Sequence, residues 1–182
     1  TVPAKGTPTF ILADDEMEYG VGIHGEPGIR REKILPAKKL AQRIIDDLYL
    51  ERPDLKEVAV LVNGFGSTPA QELYLFNHDV CQHLASKGIK IYRTFVGNYM
   101  TSIDMAGASV PLLPLDDELK TYLNAEANTP SFKLDGSTPQ PLELSTTNST
   151  SESMLNTEIE THAEHAKIIN EQFTIENMRY VV

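Results

Sequence analysis

The residue best placed to do chemistry is His24, at the centre of GVGIHGEPGI (20–29). Gly20, Gly22, Gly25 and Gly28 put four glycines within nine positions around it. Such a stretch ends a strand in a tight turn that lets backbone approach a ligand closely. A side chain there is held by regular structure yet faces a cleft. An imidazole so placed can serve as base, metal ligand or nucleophile, or simply as a structural histidine. No HxH or HxxxH spacing surrounds His24, so the metal reading has little behind it. Glu26 follows two residues later and could orient the ring as carboxylates do, although an exposed acid is the plainer reading.

Two further segments deserve the same weighing. LVNGFGSTPAQELY (61–74) reads as strand, glycine-rich turn and helix start, an arrangement that can bind anions. It has no lysine where a phosphate-binding loop needs one, and Pro69 replaces the third glycine of a dinucleotide fingerprint. A tight packing turn is therefore the preferred reading. In GNYMTSIDMAGASV (97–110), Asp104 could cap the turn, bind another loop or act as an acid, and capping is the simplest role. His78 and His83 are five apart on a helix and do not share a face; His162 and His165 are three apart and read as solvated. Cys81 falls on the inner face of a helix and reads as a core thiol.

The elements that must hold these groups follow from periodicity. TFIL (9–12) and EYGVGIH (18–24) read as strands, the second alternating through Tyr19, Val21 and Ile23. Leu40, Ala41, Ile44, Ile45 and Leu48 form one stripe of a helix from Pro36 to Glu51. VAVLVN (58–63) reads as a doubly buried strand. A helix from about Pro69 to Lys87, capped by Ser67 or Thr68 and closed by Gly88, buries Leu73, Phe76, Val80 and Leu84. IKIYRTFV (89–96) and ASVPLLPL (108–115) read as strands, with Pro111 and Pro114 making the second irregular, and DDELKTYLN (116–124) as a short helix. The alternation predicts an α/β fold: a mixed or largely parallel sheet flanked by helices, followed by a flexible linker and a helical tail. The linker is expected at 135–153, rich in Ser, Thr and Pro. In the tail, Ile159, His162, Ala166 and Ile169 share a helical face, and a second helix is expected from near Thr174.

Composition narrows the function classes. Among 182 residues, 16 Lys and Arg face 26 Asp and Glu, a net charge of -10 that repels a phosphate backbone and argues against nucleic acid. No apolar run reaches eighteen residues, and no signal peptide is visible, so no membrane association is expected. The single cysteine excludes an internal disulfide and suits a reducing compartment, the cytoplasm. Asn148-Ser149-Thr150 matches a glycosylation acceptor, which in that compartment marks only an exposed loop. The chain starts at Thr1, and a fragment of a longer protein is expected.

TVPAKGTPTFILADDEMEYGVGIHGEPGI, VLVNGFGSTPAQELY and GNYMTSIDMAGASV, in this order, resemble three blocks of the dihydroxyacetone (glycerone) kinases. The resemblance covers about residues 1–133. It implies that 1–134 is the second half of the dihydroxyacetone-binding part, 135–153 a linker and 154–182 the start of an all-helical nucleotide-binding domain. It implies that His24 holds the substrate carbonyl as a covalent hemiaminal, a capture that glycerol, lacking a carbonyl, cannot undergo. ATP and Mg2+ would serve the intact enzyme at sites outside this chain, a first substrate domain with a further His and an Asp would precede Thr1, and the substrate-binding part would be a homodimer. Two other readings stand beside it: a non-enzymatic dihydroxyacetone-binding transcriptional co-activator, and a kinase subunit that takes phosphate from a phosphotransfer partner protein, with no ATP turnover.

Overall fold

The computed structural model describes residues 6, 11–22, 26–102, 105–142, 144, 180 and 181. The chain opens with a hairpin. β1 (Glu16–Tyr19) pairs antiparallel with β2 (Arg30–Lys33), Glu18 opposite Arg31 and Tyr19 opposite Arg30. β1 is shorter than its alternating pattern suggests, because Gly20 turns the chain at φ +76°. A side chain is strained there. The four charged residues of β2 give no strand signal of their own; they pair with Glu18 of β1, with Asp15 just before it, and with Arg43 and Asp47 of α1. Of the expected strand at 9–12, Ile11 and Leu12 are not in a strand, and residues 9 and 10 lie outside the described set.

α1 (Ala37–Glu51) follows, then β3 (Glu57–Gly64), α2 (Ala70–Ser86) and β4 (Lys90–Gly97). β3 and β4 are parallel neighbours, and α2 connects them. Val58, Val60 and Val62 alternate onto the face of β3 that meets the core, and all three are fully buried. They join Leu40, Ile44 and Ile45 of α1 and Leu73, Phe76 and Val80 of α2 in one cluster. Burying each such side chain contributes about 1.5–3 kcal/mol. The predicted apolar stripes of both helices are the faces that are buried.

α2 ends at the glycine named for it. Gly88, at φ +75°, donates its N–H to the Ala85 carbonyl, and Ile89 donates to Leu84, which satisfies two free carbonyls at the helix end. Its start differs from expectation. Pro69 occupies the cap position and no side chain caps the helix; Thr68 is engaged elsewhere. Pro at this point fixes φ without losing a needed donor.

The stretch 108–115 is two short strands, not one. β5 (Gly107–Ser109) and β6 (Leu112–Pro114) both run antiparallel to β3, with Pro111 between them. The Pro111 carbonyl still accepts from Leu61 N–H at 3.1 Å, so the break removes a donor and leaves the acceptor in use. α3 (Asp117–Leu123) is capped by Asp116, whose Oδ1 accepts from Leu119 N–H at 2.8 Å. β7 (Ala127–Asn128) and β8 (Lys133–Leu134) form a small separate ladder.

Tyr180–Val181 form β9, parallel to both β1 and β5. The tail's helical reading fails at these two residues: they are strand. The rest of the tail, with His162 and His165, lies outside the described residues. The main sheet runs β2-β1-β9-β5-β3-β4, with β6 also on β3. This is the mixed α/β architecture that the alternation predicted. Residues 135–142 and 144 carry no helix or strand, yet Arg93 of β4 donates to the Ser137 carbonyl, and Pro139–Leu142 flank a groove beside Ile91 and Tyr92.

Candidate functional site

His24, with Ile23 and Gly25, lies outside the described residues, as does Asp104. What the structure shows is how the flanks of His24 are held. On one side, Gly22 N–H donates to the Glu26 carbonyl at 3.2 Å. On the other, Ile29 N–H donates to the Tyr19 carbonyl at 2.7 Å, and Gly28 N–H to Glu18 Oε1 at 3.2 Å. The two flanks are thus tied to each other and to β1.

Gly28 is required by crowding. A Cβ built there would stand 2.7 Å from the Tyr19 carbonyl oxygen and 2.7 Å from Glu18 Cγ. The first of these is backbone and cannot step aside. Gly20 is required by conformation, as its positive φ shows, and its Cβ would meet the Ile29 side chain at 2.7 Å. Glu26 is exposed, and its carboxylate lies over Gly22, where a Cβ would collide with Oε2.

Glu18 was not singled out from the sequence. It is buried in β1 between Met17 and Tyr19, and the second oxygen of its carboxylate accepts from Arg31 Nε at 2.9 Å. A carboxylate in such a place needs partners on both oxygens, and it has them. Three consecutive residues here are buried, one of them charged, because β1 is covered on both faces, which the alternating sequence does not signal. Beside it, Tyr19 donates its hydroxyl to Asp47 Oδ2 of α1 at 2.7 Å, and Arg30 lies over the Tyr19 ring at 4.9 Å. Burial, then the Asp47 hydrogen bond, pushes the Tyr19 phenol well above its usual range. The hydroxyl therefore stays a proton donor at neutral pH.

The other two glycine-rich segments are stitched to each other. Asn63, wholly buried at the end of β3, accepts from Tyr99 N–H at 2.9 Å and Met100 N–H at 2.8 Å through one oxygen. Its amide group donates to the Met100 carbonyl at 3.0 Å and to Ser109 Oγ at 3.3 Å. Thr68 accepts from Gly107 N–H at 2.8 Å and donates to the Gly107 carbonyl at 3.0 Å. Ser102 N–H reaches the Phe65 carbonyl, and Ser67 N–H the Met105 carbonyl. So the segment 64–69 is a packing turn, as read from its lack of a lysine, and it holds the segment 97–107. Asn63 and Thr68 were also missed. A polar residue closing the apolar run VAVLVN is the signal for Asn63.

Strand register relates the two regions. Tyr19 aligns with Val181, Val181 with Ala108, and Ala108 with Gly64. The chain therefore leaves β1 level with the end of β3, three strand spacings away, roughly 14 Å across the sheet.

The remaining candidates lie elsewhere. His83 Nε2 meets Asp46 Oδ1 at 2.8 Å between the two long helices, and Lys87 joins the same oxygen. The Lys87 and His83 hydrogen bonds hold the Asp46 carboxyl below its usual range. Cys81 is buried, and desolvation pushes its thiol up to about 11, which keeps it protonated and unreactive. Among the described residues, no three His, Cys, Asp or Glu side chains converge to hold a metal ion. No described helix is long and apolar enough to cross a membrane.

The profile of the Dak1 domain matches residues 1–131. A curated relative, the PTS-dependent dihydroxyacetone kinase 1, dihydroxyacetone-binding subunit DhaK of Listeria innocua, is 49% identical over 120 residues, which is 65% of this chain and 36% of that protein. The chain thus spans little more than a third of that relative. A solved structure of the dihydroxyacetone kinase operon co-activator Dha-DhaQ superimposes with a TM-score of 0.63 at 38% identity, covering 68% of this chain and 39% of that one. The dihydroxyacetone kinase from C. freundii in complex with AMP-PNP and Mg2+ matches at 23% identity with a TM-score of 0.59, covering 80% of this chain and 26% of that one; this likeness concerns the fold alone.

Proposed function

Because the chain belongs to the Dak1 domain family, we propose that it is part of a dihydroxyacetone kinase, the part that grips the substrate carbonyl through His24. The observation that carries this reading is the family match across the glycine-rich segment whose flanks are locked on both sides of His24. A nucleophile that must meet one carbon needs a fixed mount, and these flanks supply it.

The chemistry is an addition. A ring nitrogen of neutral His24 gives its lone pair to the ketone carbon, and the carbonyl π electrons move to oxygen. The other ring nitrogen loses a proton and the new carbinol oxygen gains one. No atom leaves, so the protein gains the full mass of dihydroxyacetone. Glycerol offers no electrophilic carbon and is not captured, a sharper choice than hydrogen bonds to hydroxyls allow. The terminal hydroxyl is then presented to a phosphoryl donor, where positioning supplies much of the rate.

The finer assignments belong to the same proposal. Residues 1–134 are the second half of the substrate-binding part, 135–153 a tether, and the chain from 154 the opening of a nucleotide-binding domain, with Tyr180–Val181 excepted because they pair as strand. The donor is ATP with Mg2+ bound outside this chain, and the assembly is a cytoplasmic homodimer. The PTS-dependent relative favours a second reading of the donor, in which a phosphotransfer partner supplies the phosphoryl group.

Intact-protein mass spectrometry of the parent protein tests the core of this. Dihydroxyacetone should add its own mass reversibly, and His24→Ala should abolish the adduct. An adduct that persists in the variant, or never forms in the parent, overturns the assignment. Turnover with ATP and Mg2+ alone supports the first donor. Turnover only with phosphotransfer proteins supports the second, and an adduct with no phosphoryl transfer points to a co-activator.

A further inference from the structure

The buried carboxylate behind the His24 segment carries an inference of its own. Glu18 is 6% exposed, and a carboxylate is not placed there for solubility. One of its oxygens holds Gly28 N–H, four residues after His24, and the other holds Arg31, its direct partner across the hairpin. Glu18 Cγ also occupies the space that forces position 28 to be glycine. The second flank of His24 therefore rests on this one side chain as well as on the ladder bond from Ile29.

We propose that Glu18 is a positioning residue for carbonyl capture: it fixes the backbone at Gly28, and Arg31 in turn fixes Glu18. The proposal rests on the reading of His24 as the capturing residue. Addition to a carbonyl demands that nitrogen and carbon approach within about 3–3.5 Å along one direction, and small misplacements are costly. If the Gly28 amide loses its acceptor, a half-buried donor is left open and the flank relaxes to satisfy it. The lost quantity is the aim of the imidazole, not its chemistry.

The test compares Glu18→Ala, Glu18→Gln and Arg31→Gln in the intact parent protein. Two quantities are read: hydrogen exchange of the Gly28 amide without substrate, and the dihydroxyacetone concentration that gives half-maximal adduct by mass spectrometry. Glu18→Ala should raise both by about tenfold, the size expected for a half-buried bond to a charged acceptor. Glu18→Gln keeps the length and an acceptor oxygen, and should bring both back to within about threefold of the parent. Arg31→Gln leaves Glu18 unpinned and should shift the half-adduct concentration by about threefold; it serves where Glu18→Ala does not fold. A merely structural Glu18 would lower the melting temperature and leave the half-adduct concentration unchanged in the folded protein, and that result overturns the proposal. A parent that forms no adduct sinks the His24 reading and this proposal with it. An adduct in the parent that all three variants leave untouched sinks this proposal alone.

Discussion

The segment around His24 and the paired segments 64–69 and 97–107 are both glycine-rich, both follow strands, and are held in opposite ways. The first is held by backbone bonds within its own hairpin and by one ionic side chain, Glu18. The second is held by neutral, buried side chains: Asn63 bonds to Tyr99, Met100 and Ser109, and Thr68 to both the N–H and the carbonyl of Gly107. The difference separates aim from anchorage. Asn63 and Thr68 weld a turn into the core beside β3. Glu18 reaches out from β1 to steady a stretch that stays close to the surface, where Ile29 is 77% exposed.

That distinction can be broken by mutation, and the largest effect should come from the weld. Asn63→Ala strands two N–H groups and a carbonyl, and should cost about 3 kcal/mol of stability. Thermal unfolding measures it. The half-adduct concentration at His24 should barely move in the folded variant; a large shift would mean that the two regions are coupled. Next in size, Gly28→Ala forces a Cβ against the Tyr19 carbonyl and should cost about 2 kcal/mol. Here the half-adduct concentration should rise, the mirror of the Asn63 result. Thr68→Val removes both bonds to Gly107 while keeping shape, and should cost about 1.5 kcal/mol with no change in capture.

The smallest effect is a control remote from both regions. The Asp46 carboxyl, half exposed, is held below its usual range by Lys87 and His83. A depressed folded-state value gives stability that is present above the unfolded value near 3.9 and lost as pH falls through the folded value. Exposure limits it to less than about 1 kcal/mol. Asp46→Asn should therefore lower stability by less than about 1 kcal/mol at neutral pH, a difference that vanishes as pH falls below about 4 and so flattens the acid side of the stability curve. A large loss at pH 7 would show that the helix pair depends on this charge.

Parts of this fold were legible because burial writes a period into the sequence. Leu40, Ile44 and Ile45, or Leu73, Phe76 and Val80, repeat as a helix must when one face is covered. β3 was legible as a continuous apolar run. β2 was not, since Arg30, Arg31, Glu32 and Lys33 become a strand only through partners on β1 and α1. Tyr180–Val181 were read as helix because local spacing cannot report a parallel neighbour far away in the chain. At the site, His24 stood out by its glycine setting and the family resemblance. Glu18 did not, because a charged residue in an alternating strand reads as the solvated face until both faces prove covered. Thr68 sits where a cap is expected, and only the position of Gly107 shows that its hydroxyl is used elsewhere.

The crowding at Gly28 has a consequence for information. On the buried face of α1, several apolar side chains of similar volume would satisfy each position, so each residue there narrows the choice of letter only a little. At Gly28, a backbone oxygen 2.7 Å from the absent Cβ admits one letter, and at Gly20 the left-handed turn nearly does the same. A stretch with two such positions within nine is dense in information for its length. Its geometry leaves a signature that can be recognised in a sequence.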